Sequence, residues 1–115
     1  MSKIRLVINN ESKKNEREKF FIKKELQSIL NLYAKMVSNG TWKDYSFTSG
    51  IKEVSFNVYQ RASEKPVLRI LKNLKPRYFN EKYLIKDKNG AILKKSENLN
   101  QLISKTSWNK LKLVK

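Results

Sequence analysis

Residues 52–72 read KEVSFNVYQRASEKPVLRILK, and this stretch decides the fold because it contains two strand patterns joined by a polar turn. Apolar and polar residues alternate from Lys52 to Gln60, and the alternation returns from Val67 to Lys72, after Pro66. A period of two indicates a β-strand with one buried and one solvated face, and proline is tolerated at the start of a strand. The stretch therefore predicts a β-hairpin.

The apolar residues of the two strands determine how they pair. A shift by one residue would turn every apolar side chain of one strand to the opposite face. We therefore expect Asn57 to lie opposite Arg69 on the solvated face. The pairs predicted on the inner face are Val58 with Leu68 and Phe56 with Ile70.

A helix is predicted before this hairpin, from Lys23 to Asn39. Its apolar residues recur at spacings of three and four, which is typical of one helical face, and Gly40 follows where a left-handed residue often ends a helix. The predicted face consists of Leu26, Ile29, Leu30, Tyr33 and Val37, widened by Leu32 and Met36. Trp42 and Tyr45 follow, and we expect them to close the edge of the core.

A second hairpin is predicted after it. The turn Asp87-Lys88-Asn89-Gly90 joins two short strand patterns, at 83–86 and 91–95, and Asn-Gly supplies the positive backbone angles of a tight turn. Residues 73–82 should form a loop that crosses the sheet edge. A short helix should follow, capped by Ser96 or Asn98 and ending by Trp108.

These elements predict an α+β domain, in which an antiparallel sheet of about four to six strands packs on one long helix, with a short C-terminal helix. Residues 1–19 comprise a candidate strand at Lys3–Ile8 and a polar linker, residues 20–108 form the single domain, and residues 109–115 form a basic tail or an edge strand. The apolar stretch near the N-terminus is too short for a signal peptide or a membrane span, so we expect a cytoplasmic protein.

The composition narrows the possible functions. The 115 residues contain 26 lysines and arginines against 10 acidic residues, a net charge of +16, which attracts polyanions such as nucleic acid. Most of these cations are lysine, and asparagine and isoleucine are also abundant, so the charge also fits an AT-rich coding bias and a role in solubility alone. The chain has no cysteine and no histidine, which removes disulfides, thiol nucleophiles and the usual proton shuttle.

No catalytic pattern stands out. The acidic residues do not cluster like metal ligands, and the three glycines do not form a phosphate-binding loop. Ser63 and Glu64 lack a histidine base, and Lys65 in an exposed turn would not be desolvated. We therefore expect no enzymatic activity, no cofactor and no metal site.

The remaining candidate is a basic ridge at the end and the solvated face of the sheet, which would bind RNA or the ribosome. Its predicted cations are Arg61, Lys65, Arg69, Lys72, Lys75 and Arg77, and Tyr59 and Tyr78 would supply base stacking. Taken one at a time, these residues also have structural explanations: Arg61 pairs with Glu64, the stem of Arg69 packs on the sheet, and the lysines are solvated.

A second hypothesis is an interaction module. The solvated sheet face, with Tyr59, Val67 and Leu71, could dock a protein partner or a second copy of the chain through an apolar patch.

The sequence also resembles a known family. The run ELQSILNLYAKMVSNGTWKDYSF (25–47), followed by VYQRASEKPVLRI (58–70) and YLIKDKNGAILKKSENLNQLI (83–103), is similar to the alphaproteobacterial family called domain of unknown function 2794. The similarity covers about residues 20–103, including Gly40, Trp42, Asp44-Tyr45 and the Arg61–Pro66 motif. It implies a bacterial cytoplasmic origin and no particular activity.

Overall fold

The computed structural model describes residues 19–61, 65–106 and 108. The described residues form two α-helices, a five-stranded sheet and a single 3-10 turn at Phe79–Glu81. The helices are α1 (Lys23–Ser38) and α2 (Leu99–Lys105). The strands are β1 (Asp44–Ser49), β2 (Glu53–Tyr59), β3 (Leu68–Asn73), β4 (Tyr83–Asp87) and β5 (Ile92–Ser96).

The five strands lie in the sheet in chain order, and every neighbouring pair is antiparallel. The predicted α+β class, with one longer and one short C-terminal helix, is confirmed. Because β3 pairs directly with β4, the 74–82 segment joins two neighbouring strands at the end of the sheet. The prediction that it crosses the sheet edge was wrong.

The predicted register of the first hairpin is confirmed. Phe56 lies opposite Ile70, Val58 opposite Leu68, and Asn57 opposite Arg69. The four apolar residues of these pairs are all buried, as is expected when a one-residue shift would expose them.

Strand β1 is not among the predicted elements. Its residues alternate, with Tyr45 and Phe47 on the inner face and Ser46 and Thr48 on the outer face. The aromatic residues do close the edge of the core, since the Tyr45 ring lies 4.8 Å from that of Tyr33. The same alternation indicates a strand, and this was the signal that could have identified β1.

Helix α1 packs on the inner face of the sheet, but it is rotated from the predicted orientation. Its buried residues are Glu25, Ile29, Leu32 and Met36. Leu30 and Val37, which were predicted to face the core, are 40% and 41% exposed. The apolar pattern did not identify this buried face of α1, because one of its positions holds Glu25, and buried positions are usually apolar.

The turns and caps follow the predictions. Gly40 and Gly90 have positive φ angles of 77° and 87°. In the second hairpin, the Asp87 carboxylate accepts hydrogen bonds from the backbone N–H groups of Asn89 and Ala91. Asn98 caps α2 by accepting from the N–H of Gln101 at 3.0 Å.

Several predictions fall on residues that the structure does not describe. They are the Lys3–Ile8 strand, the linker up to residue 18, the 109–115 tail and the Arg61–Glu64 pair, whose glutamate lies in the 62–64 gap. These stay predictions. Within the described part of the chain, neither helix combines the length and apolar character that crossing a membrane requires.

Candidate nucleic-acid interface

The structure divides the predicted basic ridge between the two ends of the sheet. Arg61 and Lys65 are exposed beside the β2–β3 turn, whereas Lys75 and Arg77 are exposed in the loop that follows β3. The six residues of β3 separate these ends by about 17 Å at the usual rise per residue. Arg69 lies between them, exposed on the outer face. The predicted cations on the surface therefore form two groups at opposite ends of the sheet, with Arg69 between them.

Lys72 was wrongly placed on the ridge. It lies on the inner face of the sheet, opposite Val54 and Tyr83, and is 1% exposed. Its ammonium group donates to the Glu25 carboxylate at 2.8 Å and to the Phe20 carbonyl at 3.1 Å. A lysine is tolerated in this buried position because a helix carboxylate neutralises it, and its ammonium group is engaged in that pair.

Glu25 is the centre of this buried polar cluster. Besides the ion pair with Lys72, it accepts hydrogen bonds from the Tyr83 hydroxyl and from the Ile22 N–H. A cleft of about 150 Å³ adjoins Glu25 and Tyr83, and Glu97 and Asn98 also line it. These hydrogen bonds already satisfy the Glu25 carboxylate. We therefore interpret the cluster as a structural one that holds α1 on the sheet.

The outer face of the sheet is less solvated than the sequence predicted. Asn57, 3% exposed, donates to the hydroxyls of Ser46 and Thr48 and accepts from that of Ser55. This side-chain network replaces the hydrogen bonds that water would make. The Tyr59 hydroxyl joins it, 3.0 Å from Ser46 Oγ.

The apolar patch that was proposed as a docking surface exposes less apolar area than the sequence predicted. Leu71 is only 2% exposed on the outer face, where it lies between Ser55 and Leu84 in the pairing of the strands. Val67 is partly buried and packs against the core. Neither side chain offers the exposed apolar surface that docking would need.

The most exposed aromatic residues of the described chain lie in the loop between β3 and β4. Tyr78 is 59% exposed and Phe79 is 82% exposed. Tyr78 is among the predicted site residues, whereas Phe79 is not. The predicted loop gave no sign of which aromatic residues would be buried, since that depends on how β3 and β4 pair.

This loop is held by hydrogen bonds at both ends. The Leu74 N–H donates to the Lys52 carbonyl at 2.8 Å, and the Asn73 N–H donates to the Lys82 carbonyl at 2.7 Å. Within the 3-10 turn, the Lys82 N–H donates to the Phe79 carbonyl at 3.1 Å. The backbone beneath the exposed rings is therefore fixed, which lowers the entropy that binding would cost.

Cations lie near the two rings in the chain, and two of them line one cleft together with Phe79. Lys75 and Arg77 are exposed, and the half-buried Lys82 places its ammonium 5.5 Å from the centre of the Tyr83 ring. The acidic residue of the loop, Glu81, faces Lys95 at 3.6 Å, which offsets its charge. We call Lys75, Arg77, Tyr78, Phe79 and Lys82 the loop patch.

The loop patch borders an open cleft of about 470 Å³. Leu74, Pro76 and Phe79 give the cleft apolar walls, while Lys75 and Lys82 supply positive charge. Apolar walls with a few charged groups are the usual lining of a ligand site. Such a surface suits a flat, apolar ring that carries negative charge beside it.

The comparisons with known proteins give a family and no activity. A family model described as protein of unknown function (DUF2794) matches residues 19–103, which confirms the resemblance seen in the sequence. No curated protein and no solved structure matches the chain. The matched residues include all five strands and the whole loop patch.

Proposed function

The chain belongs to the DUF2794 family, whose function is unknown, and we propose that it is a nonenzymatic domain that binds nucleic acid, with RNA or the ribosome as its natural target. The observation that carries the proposal is the exposure of Tyr78 and Phe79 on a fixed turn with Lys75 and Arg77 beside them. Nucleic-acid surfaces commonly combine cations for the phosphates with aromatic rings for the bases.

The aromatic residues distinguish this proposal from a charge that only increases solubility. Lysines scattered over a surface keep a protein in solution without any aromatic residue near them. Exposing the Phe79 ring has no such benefit, because it leaves apolar surface in water. An exposed aromatic ring near cations is instead suited to a nucleic acid, which has both phosphates and the apolar faces of its bases.

The overall charge supports the same partner. A net charge of +16 creates a positive potential that concentrates polyanions around the protein and speeds their association. Long-range attraction of this kind does not determine how the nucleic acid is oriented on the protein. The loop patch would provide that orientation, because its exposed rings and cations lie on one loop whose backbone is hydrogen-bonded.

Removing charge from the loop patch tests the proposal. We expect the double variant Lys75→Gln/Arg77→Gln to bind a fluorescein-labelled RNA at least about tenfold more weakly at 50 mM salt, as measured by anisotropy. The slope of log K against log salt should become shallower by roughly 0.7 for each phosphate of the single strand that the variant no longer neutralises.

The matched control is Lys35→Gln/Lys105→Gln, which removes the same charge from exposed positions on the two helices. It should bind nearly as well as the natural chain. An equal loss of affinity in both variants would show that only net charge matters, and the absence of any RNA binding at low salt would overturn the proposed function.

A further inference from the structure

We propose, building on the nucleic-acid binding inferred above, that the loop patch selects single strands by stacking an unpaired base on Phe79. Phe79 is 82% exposed and is the first residue of the 3-10 turn. Tyr78, which is also exposed, directly precedes it. Stacking on an aromatic ring requires a base face, and in a duplex the neighbouring base pairs already cover those faces.

The positions of the cations fit a single strand. Lys75 and Lys82 line the same cleft as Phe79, so a base on the ring would have its phosphates within a positively charged border. Arg77, the residue before Tyr78, adds a further exposed cation to the loop. Successive nucleotides could therefore use a ring and a cation in turn, which is how proteins bind single strands without reading their sequence.

The loop patch lacks the elements that usually bind duplexes. It contains a single 3-10 turn of three residues, Phe79–Glu81, whereas the major groove admits an α-helix or a two-stranded ribbon. Against a duplex its cations could contact phosphates while the Phe79 ring remained in water. A single strand uses both parts of the patch.

Binding of oligonucleotides about ten nucleotides long tests the inference, with oligo(U), oligo(dT), a duplex of equal length and an abasic strand as probes. We expect either single strand to bind more tightly than the duplex. Phe79→Ala should weaken single-strand binding roughly 5- to 150-fold, with an unchanged salt slope because every cation that neutralises a phosphate is still present. Phe79→Tyr should keep most of the affinity. On the abasic strand, the natural chain and Phe79→Ala should bind equally.

The matched control is Ile92→Ala, which shortens another exposed apolar side chain, at the opposite end of the sheet, and should change nothing. Equal affinity for the duplex, or a Phe79→Ala variant that binds single strands normally, would overturn the single-strand inference. If Lys75→Gln/Arg77→Gln still weakened binding in that case, nucleic-acid binding itself would stand. Failure of every probe to bind would overturn both proposals, and comparison of oligo(U) with oligo(dT) shows whether RNA or DNA is preferred.

Discussion

Lys72 shows how one residue can mislead sequence interpretation. Its position at the end of a strand pattern, among other cations, suggested a surface residue. In the structure it is buried against Glu25, a residue 47 positions earlier in the chain. Removing an ammonium and a carboxylate from water is costly, and their attraction offsets that cost only when the geometry is good and further hydrogen bonds are made. The bonds to Phe20 and from Tyr83 supply them.

Breaking this pair should destabilise the protein strongly. Lys72→Met keeps the volume of the side chain but leaves the Glu25 carboxylate buried without its cation, so we expect the free energy of unfolding to fall by about 3–5 kcal/mol. The double variant Lys72→Met/Glu25→Gln removes both charges and keeps an oxygen that can accept from Ile22 or Tyr83. It should recover most of the lost stability.

Urea unfolding followed by circular dichroism measures these differences. A double variant no more stable than Lys72→Met would show that charge neutralisation is not what Lys72 contributes.

At the scale of elements, local patterns were sufficient for the hairpin of β2 with β3 and for that of β4 with β5. The first hairpin's register and the Asn89-Gly90 turn follow from alternation and turn chemistry over fewer than about 25 residues. Strand β1 shows the same alternation and pairs with its chain neighbour β2, so it was locally predictable, whereas the orientation of α1 depends on its packing against the sheet. The buried position of Glu25 makes sense only once Lys72 is known to lie beneath it.

The candidate site was predictable only in part. Lys75, Arg77 and Tyr78 were predicted from their positions along the chain, but in one group with Arg61 and Lys65, which lie at the opposite end of the sheet. Which cations share a surface depends on how the strands are ordered and on their length. Residue types alone do not contain that information.

The pairing of β3 with β4 places two cations side by side on the outer face. Arg69 lies directly opposite Lys86, and like charges in this position destabilise a sheet. Lys86→Glu would replace repulsion with attraction, so we expect the free energy of unfolding to rise by about 0.2–1 kcal/mol. The control is Lys88→Glu, which makes the same change of charge in the adjacent exposed turn. Urea unfolding of both variants checks this, and equal stabilisation would mean that net charge, not the cross-strand pair, is responsible.

At the scale of the whole molecule, the same positive charge has two opposite effects. Cations spread over one small domain repel each other and oppose compaction, yet they attract nucleic acid. Salt screens both effects, since the Debye length falls from about 30 Å at 0.01 M to about 3 Å at 1 M. Folding and binding should therefore respond to salt in opposite directions, which provides a test of what the charge does.

We expect the urea midpoint of unfolding to rise as sodium chloride increases from about 0.01 M to 1 M, because screening relieves the repulsion among charges that sum to +16. RNA affinity should fall over the same range. Lys35→Gln/Lys105→Gln, with less charge to screen, should show a smaller rise in its midpoint than the natural chain. Guanidinium is unsuitable as the denaturant because it is itself a salt. A midpoint that stays constant or falls in the natural chain would contradict the prediction, since it would mean that self-repulsion is too weak to oppose folding.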